Sequence, residues 1–554
     1  MIIAIQLLNI IEMLETDQKT KFENIDDIII GSGAGGFTAA AALAQAGHKV
    51  LVIEQHTIPG GWSQTYRFAG HDFSPGLHDV PQLGPSGRLK QIYEGLGLGQ
   101  YLTWYEMNPD GYDHILIGDE RFDVPSGKQK IIERLSNEFP SERKRLIKYF
   151  NICEKIWLQS EKVADVNNLS SLLKAIIKTP LPLFWSVRTG EQFVNHFIKN
   201  PKLKALLLGQ SAGHFAMPPS EFSGVLHAAA IGHYLDGAWH PKGGGRSVVK
   251  ASIKVIRDNG GDILTGNKVE KILLENKKAI GVRLKNGKEI YSKNLISNAD
   301  PTVTFTKLVG KENISARLNR KIEKTKYTLS GICLTIVTDK KLDISNLDSG
   351  NIWYYSSADV EGIFNKLKEN HNNSISEIPF LCLTTNSFRD PEPNKKSYAF
   401  EVFTFLRYDL FSKWENSQFG ERPLDYDSFK QKLTDLILET INKIIPSFSN
   451  HILQTELATP LTNVHYTLGT KGNVYGTEKR RSQIGPWGYA IDTEIDNLKL
   501  CGSSTFAHGI PGASISGLMA AASVMNCKAD DLLNNFSGEI TYFSAEKERK
   551  KLIE

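Results

Sequence analysis

Residues 25–30 read IDDIII, residues 31–36 GSGAGG and residues 37–47 FTAAAALAQAG. A short apolar run, a glycine cluster and an alanine-rich stretch stopped at Gly47 predict strand, turn and helix, and HKVLVIE supplies a second strand. This is the opening βαβ unit of a parallel sheet. From about Leu83 to Trp239 charged and apolar residues alternate at helical spacing, as in KQKIIERLSNEFPSERKRLIKYFNICEKIW, so an α-rich insertion is expected. After Gly243-Gly244-Gly245, SVVKASIKVIRDNG predicts a helix ending at Gly260. Beyond it GDILTGNKVEKILLENKKAIGVRLKNGKEIYSKNLISNA reads as short strands, with a hairpin turn at Asn286-Gly287. Strands are expected again between Gly331 and about Leu406, around a polar loop near His371 to Ser376, and a helix over roughly Ser428 to Ile445. NLKLCGSSTFAHGIPGASISGLMAAASVM closes the pattern with strand, glycine loop and small-residue helix.

The fold class that follows is α/β: a Rossmann-like dinucleotide-binding domain assembled from chain segments 24–82, 241–330 and 486–535. A helical insert at 83–240 and a strand-rich substrate region with a helix at 331–485 lie between them, and 1–23 and 536–554 are terminal extensions. The 554 residues exceed one core. Lys plus Arg (65) nearly balances Asp plus Glu (61), which argues against a nucleic-acid partner. Cys153, Cys333, Cys382, Cys501 and Cys527 are scattered and lack a Cys-x-x-Cys pair, so neither a disulfide framework nor a zinc site is expected. Met1 to Leu14 is apolar but has no basic leader, and no run reaches the roughly 20 apolar residues of a spanning helix. A cytoplasmic protein, touching a membrane from one side if at all, is the expectation.

Gly31-x-Gly33-x-x-Gly36 stands where a strand gives way to a helix, so its backbone is free to approach a pyrophosphate at the helix N-terminus. Ser32, Ala34 and Gly35 complete the turn. Glu54 ends the second strand about 20 residues on, where a carboxylate accepts ribose hydroxyls, and Gln55 follows it. These features predict dinucleotide binding. They leave FAD and NAD both open, because both carry the same adenosine diphosphate half.

Pro59-Gly60-Gly61, then YRFAGHDFSPGLH, PKGGGRSVVKASIKVIRDNGGDILTGNKVEKI, LISNADP and CGSSTFAHGIPGASISGLMAAA together resemble the amine oxidase and phytoene desaturase superfamily of flavoproteins over nearly the whole chain. Within it the pattern is most similar to the carotenoid isomerase, retinol saturase and phytoene desaturase group. Trp62 stands where desaturases usually carry Arg, and Ser503 where an acid usually follows Gly502. The resemblance implies non-covalent FAD in a two-dinucleotide-binding fold of the glutathione reductase type. It implies that Gly60, Gly61, Trp62 and Ser63 lie beside the flavin and that Val269 offers backbone contacts to adenine. Gly502, Ser503, Gly509, Ile510, Pro511, Gly512 and Ala513 would approach the ribityl chain and ring.

His508 in that glycine turn is the proton-transfer candidate, with a structural role as the plainer reading. His56 reads as a loop residue. His214, His227, His233 and His240 show no i, i+4 metal pair and read first as polar residues of a helix-rich lining. No metal is expected. SLLKAIIKTPLPLFWSV joins apolar, aromatic and basic residues, so it suits either a helix pair on the core or a surface resting on a bilayer. The implied activity is that of an FAD-dependent oxidoreductase acting on carbon–carbon bonds of a lipophilic polyene or isoprenoid, by saturation, desaturation or redox-neutral cis/trans isomerisation. The alternatives are a flavin amine oxidase and a non-catalytic polyene-binding flavoprotein.

Overall fold

The computed structural model describes residues 24–163, 180–369, 375–392 and 395–553. The N-terminal extension, residues 171–179 of the apolar-basic stretch and most of the polar loop near His371 lie outside the described residues.

IDDIII forms the strand Ile25–Ile30, buried along nearly its whole length, as a parallel strand covered on two faces must be. It pairs in parallel with Val50–Ile53 on one side and Glu289–Ser297 on the other. Asp262–Leu264 extends the sheet beyond Val50–Ile53. The second half of Glu289–Ser297 pairs in parallel with Leu498–Leu500, while its first half takes the antiparallel meander Val269–Glu275 and Lys278–Leu284. All three sequence segments therefore meet in one sheet. Asp27, fully buried in the first strand, is held by His48 Nδ1 at 2.5 Å and Asn294 Nδ2 at 2.9 Å, an unpaired carboxylate there being costly.

The helices Ala34–Gln45 and Gly509–Met525 pack together above this sheet. Their alanines and glycines are what allow it: a Cβ on Gly517 would stand 2.0 Å from the Gly35 carbonyl oxygen.

The second sheet runs in the order Ile452–Ala458, Ser330–Asp339, Ser397–Leu406, Phe380–Thr384, Asn351–Tyr355, Asp113–Ile117, Glu120–Val124. Its last two strands come from the segment expected to be helical. Among the described residues that segment is helix-rich from Lys128 to His233, but DHILI and ERFDV form a hairpin around Gly118 at φ +59°. The C-terminal extension also carries order: Thr541–Ser544 pairs with Thr103–Glu106 and leads into the helix Ala545–Ile553. Among the described residues no helix is long and apolar enough to cross a membrane.

Candidate functional site

The glycine turn, the end of the second strand and the last glycine loop open onto one cavity of about 1920 Å³. Gly31 turns the chain at φ +93°, and the helix beginning at Ala34 has no side-chain cap and no acid in its first turn. Its first N–H groups therefore face the cavity free to bind an anion. The helix Gly509–Met525, which starts after His508, has an equally bare N-terminus. The cradle is tight: a Cβ on Gly33 would come within 2.7 Å of Asn298 Nδ2, and one on Gly35 within 3.0 Å of the Ala513 oxygen and the Gly502 nitrogen.

Glu54 is buried and holds the turn from beneath. Its Oε2 accepts the Ser32 backbone N–H at 3.1 Å and the Ser32 hydroxyl at 2.6 Å, and its Oε1 accepts the His56 N–H at 2.9 Å. The Ser32 hydroxyl oxygen in turn accepts the Gly60 N–H at 2.9 Å. A carboxylate has about four acceptor positions, so Glu54 keeps capacity toward the cavity it lines.

Of the residues singled out for the cofactor, Gly31, Ser32, Gly33, Ala34, Gly35, Glu54, Gln55, Gly61, Trp62, Ser63, Val269, Gly502, Ser503, Gly509, Ile510, Pro511, Gly512 and Ala513 line this cavity. Gly36 and Gly60 do not. A Cβ on Gly36 would stand 2.2 Å from the Gly31 oxygen, and Gly60, at φ +124°, packs against Val249, so both serve the backbone. The cradle thus fits a dinucleotide: bare helix starts for a diphosphate, a buried acid for a ribose, and backbone at Val269 for a flat base.

Beyond the glycine loops the same cavity continues between the helical insert and the second sheet, walled by Val225, Leu226, Ala230, Trp353, Phe403 and Phe405. His508 borders it, 4.8 Å from the Tyr475 ring and 5.4 Å from Phe215 between ring centroids. Burial and the nearby Lys479 cation hold its imidazole well below its ordinary value, so it is neutral. His214 and His233 reach the same wall, pushed down by burial to about 4 and about 3 respectively. His227 lies instead in the helical core between the Tyr149 hydroxyl and the Ser211 hydroxyl, each at 2.8 Å. His240 sits in the strand Trp239–Pro241 and bonds the His78 carbonyl. His56 is outside the cavity lining, packed on His465 and Tyr466. Among the described residues no three metal-ligating side chains converge.

Three cavity residues escaped the sequence reading. Asn298 spans from the glycine turn to the last loop, accepting the Cys501 thiol at 3.4 Å; the LISNADP landmark held it without a role. Lys479 is buried, and its Nζ donates to the Ser503 carbonyl at 2.7 Å. Burial brings its ammonium down to about 7, so it exchanges a proton near neutrality. Asp79 lines the chamber next to Tyr234. Neither has a sequence signal, since TEKRRSQ reads as a solvated run and Asp79 as a loop acid.

The family of flavin containing amine oxidoreductases matches residues 34–525. All-trans-retinol 13,14-reductase of Danio rerio is 27% identical over 528 residues, covering 91% of this chain and 86% of the relative. Chloroplastic prolycopene isomerase of Daucus carota is 27% identical over 541 residues, covering 93% and 83%. A solved putrescine oxidase variant superimposes with a TM-score of 0.61 at 14% identity, covering 91% of this chain and 99% of that one, a likeness of fold.

Proposed function

The chain belongs to the flavin containing amine oxidoreductases, and on that premise we propose that it is an FAD-dependent enzyme acting on carbon–carbon double bonds of a lipophilic polyene. The observation that carries this reading is the continuity of the cavity, whose one end is the glycine cradle and whose other end is a long aromatic and aliphatic chamber. Two relatives similar over nine-tenths of this chain are named for a retinol reductase and a prolycopene isomerase, which supports a conjugated substrate.

The residues divide the work. Gly31 to Gly35 and the first helix would hold the diphosphate, Glu54 the adenosine ribose, and Val269 the base. Gly502, Ser503 and the turn from Gly509 to Ala513 would face the ring, where the bare helix start at Gly509 favours negative charge. When bound, FAD supplies hydride exchange with carbon, the chemistry common to saturation, desaturation and redox-neutral isomerisation. The aromatic chamber excludes water and aligns a rod-shaped hydrocarbon along the cradle. Lys479, near its neutral point beside Ser503, is placed to hold or return a proton at the ring end.

The cavity wall also reaches the surface. Val187 and Trp487 line it yet are 55% and 57% exposed, and Leu158 and Phe184 are exposed as well. Arg188 lies 3.6 Å from the centroid of the Phe184 ring, and Arg481 donates to the Val187 carbonyl. Such an apolar rim with adjacent cations suits a bilayer surface from which a lipid-soluble substrate passes directly inward.

The test is anaerobic incubation of the flavin-loaded enzyme, oxidised and then reduced, with conjugated polyenes and with primary amines. Change in the flavin spectrum or in polyene geometry with polyenes alone is the expected result. Reduction of the flavin by amines, with peroxide released in air and polyenes unchanged, would make the chain an amine oxidase.

A further inference from the structure

Charge is unevenly spread along the chain. Residues 268–326 carry fifteen Lys and Arg against six Asp and Glu, a net +9, whereas the whole chain is +4, so the remainder carries −5. These residues form one lobe. The meander Val269–Glu275, Lys278–Leu284 and Glu289–Ser297 shares a core with Thr304–Gly310 and the helix Ala316–Lys324, through Ile272, Val282, Phe305, Leu308 and Ile322.

Four cations of the lobe, Lys268, Lys285, Lys307 and Arg317, are exposed and also line the cavity, so they mark a mouth through which the cavity meets solvent. Val269, next to Lys268 and paired with Leu284, stands at the same mouth. Among the described residues none of the four cations has a carboxylate at ion-pair distance. Glu270, exposed and lining as well, offsets one of them. The other acids nearby are engaged: Asp300 accepts the hydroxyls of Tyr327 at 2.6 Å and Thr470 at 2.9 Å, and Asp492 pairs with Lys499 at 2.7 Å.

Exposed cations add little to the affinity of a seated ligand, because water and salt screen them. Before seating they act at a distance. A positive mouth on a protein whose remainder is negative repels an anion elsewhere and draws it here, which raises encounter rates by about 10- to 1000-fold at low salt. The diphosphate makes FAD such an anion.

We infer that Lys268, Lys285, Lys307 and Arg317 form an electrostatic funnel that draws FAD into the cradle, setting how fast the cofactor loads and leaving its residence time unchanged. This rests on the FAD reading above and adds to it a set of residues that act before the cofactor is seated.

Association of FAD with the full-length flavin-free protein is followed by stopped-flow quenching of flavin fluorescence, and dissociation by its recovery on dilution. The variant combining Lys268→Gln, Lys285→Gln, Lys307→Gln and Arg317→Gln should associate about 10- to 100-fold more slowly than the wild type at low ionic strength. At about 0.5 M salt the two rates should agree within about threefold, and dissociation should agree within about twofold throughout. Lys307→Gln with Arg317→Gln alone should lose an intermediate factor and covers the case in which the fourfold variant does not fold. Equal association rates at low salt overturn the proposal, and loss of sedimentation with phosphatidylserine vesicles by the same variant would then assign the lobe to a bilayer. Faster dissociation with unaltered association also overturns it, making the four residues contacts of the bound cofactor. In these cases the cradle reading stands; failure of the wild type to bind FAD overturns the two together.

Discussion

Glu54 illustrates how one side chain that holds the local fold would also serve the ligand in the proposed function. Its carboxylate gathers the Ser32 N–H, the Ser32 hydroxyl and the His56 N–H beneath the glycine turn. Glu54→Gln replaces one acceptor oxygen by an amide NH2 donor and removes the charge from those bonds, at a cost of about 1.5–3 kcal/mol. The flavin dissociation constant should rise roughly 10- to 100-fold, measured by fluorescence on titrating flavin into flavin-free protein. Lys479 makes a prediction of opposite sign. Burial lowers its pKa from 10.5 to about 7, so between those values the unfolded chain holds a proton that the folded chain lacks. Its destabilising contribution is therefore full at and below pH 7 and fades as pH rises toward 10.5. Lys479→Met should raise the thermal midpoint of the flavin-free protein at pH 7 and do so by much less at pH 10; an equal gain at the two would show that the lysine is not buried as described. Residues such as Gly33 and Glu54 are legible in sequence because strand, turn and acid come in fixed register within one short unit. Lys479 and Asp79 are not, since contacts with residues far away in the chain decide their burial.

At the scale of elements, the first and last helices show why small residues recur at the two ends of the chain. The helices approach so closely that Gly517 rests against the Gly35 carbonyl. Gly517→Val should separate them and thereby part the cradle from the last glycine loop. Loss of bound flavin together with a lower thermal midpoint is expected, whereas Ala520→Gly, at a neighbouring buried position, removes bulk and should leave flavin bound. The sequence showed these helices clearly, and also the meander after Gly260. It hid Asp113–Ile117 and Glu120–Val124, two five-residue strands inside a long helical pattern. Their partner Asn351–Tyr355 lies more than 200 residues away, and a short strand pattern carries no record of such a pairing. For the same reason Thr541–Ser544 reads as a tail until it is seen against Thr103–Glu106.

At the scale of the molecule, three segments of chain meet in the parallel sheet, and the regions between them wall the rest of the cavity that the proposed function assigns to the substrate. This arrangement was legible in outline, because glycine-rich landmarks mark each return to the sheet. The polar side chains of the cavity wall, such as Asp79 and Lys479, were not, since they come from stretches far apart in the chain. The exposed rim at Phe184, Val187 and Trp487 adds a prediction that only the assembled molecule makes. Phe184→Glu combined with Trp487→Glu should abolish sedimentation with anionic phosphatidylserine vesicles without changing flavin content; unaltered sedimentation would place the membrane contact elsewhere.

The central claim is that the turn from Gly31 to Gly35 cradles the diphosphate of a non-covalently held FAD. The most direct measurement is the visible absorption spectrum of the purified protein beside that of Gly33→Val, whose side chain would invade the cradle at Asn298. A yellow wild type that releases about one FAD per chain on acid precipitation is expected, beside a folded but colourless variant. A folded Gly33→Val protein with its full complement of flavin would contradict it.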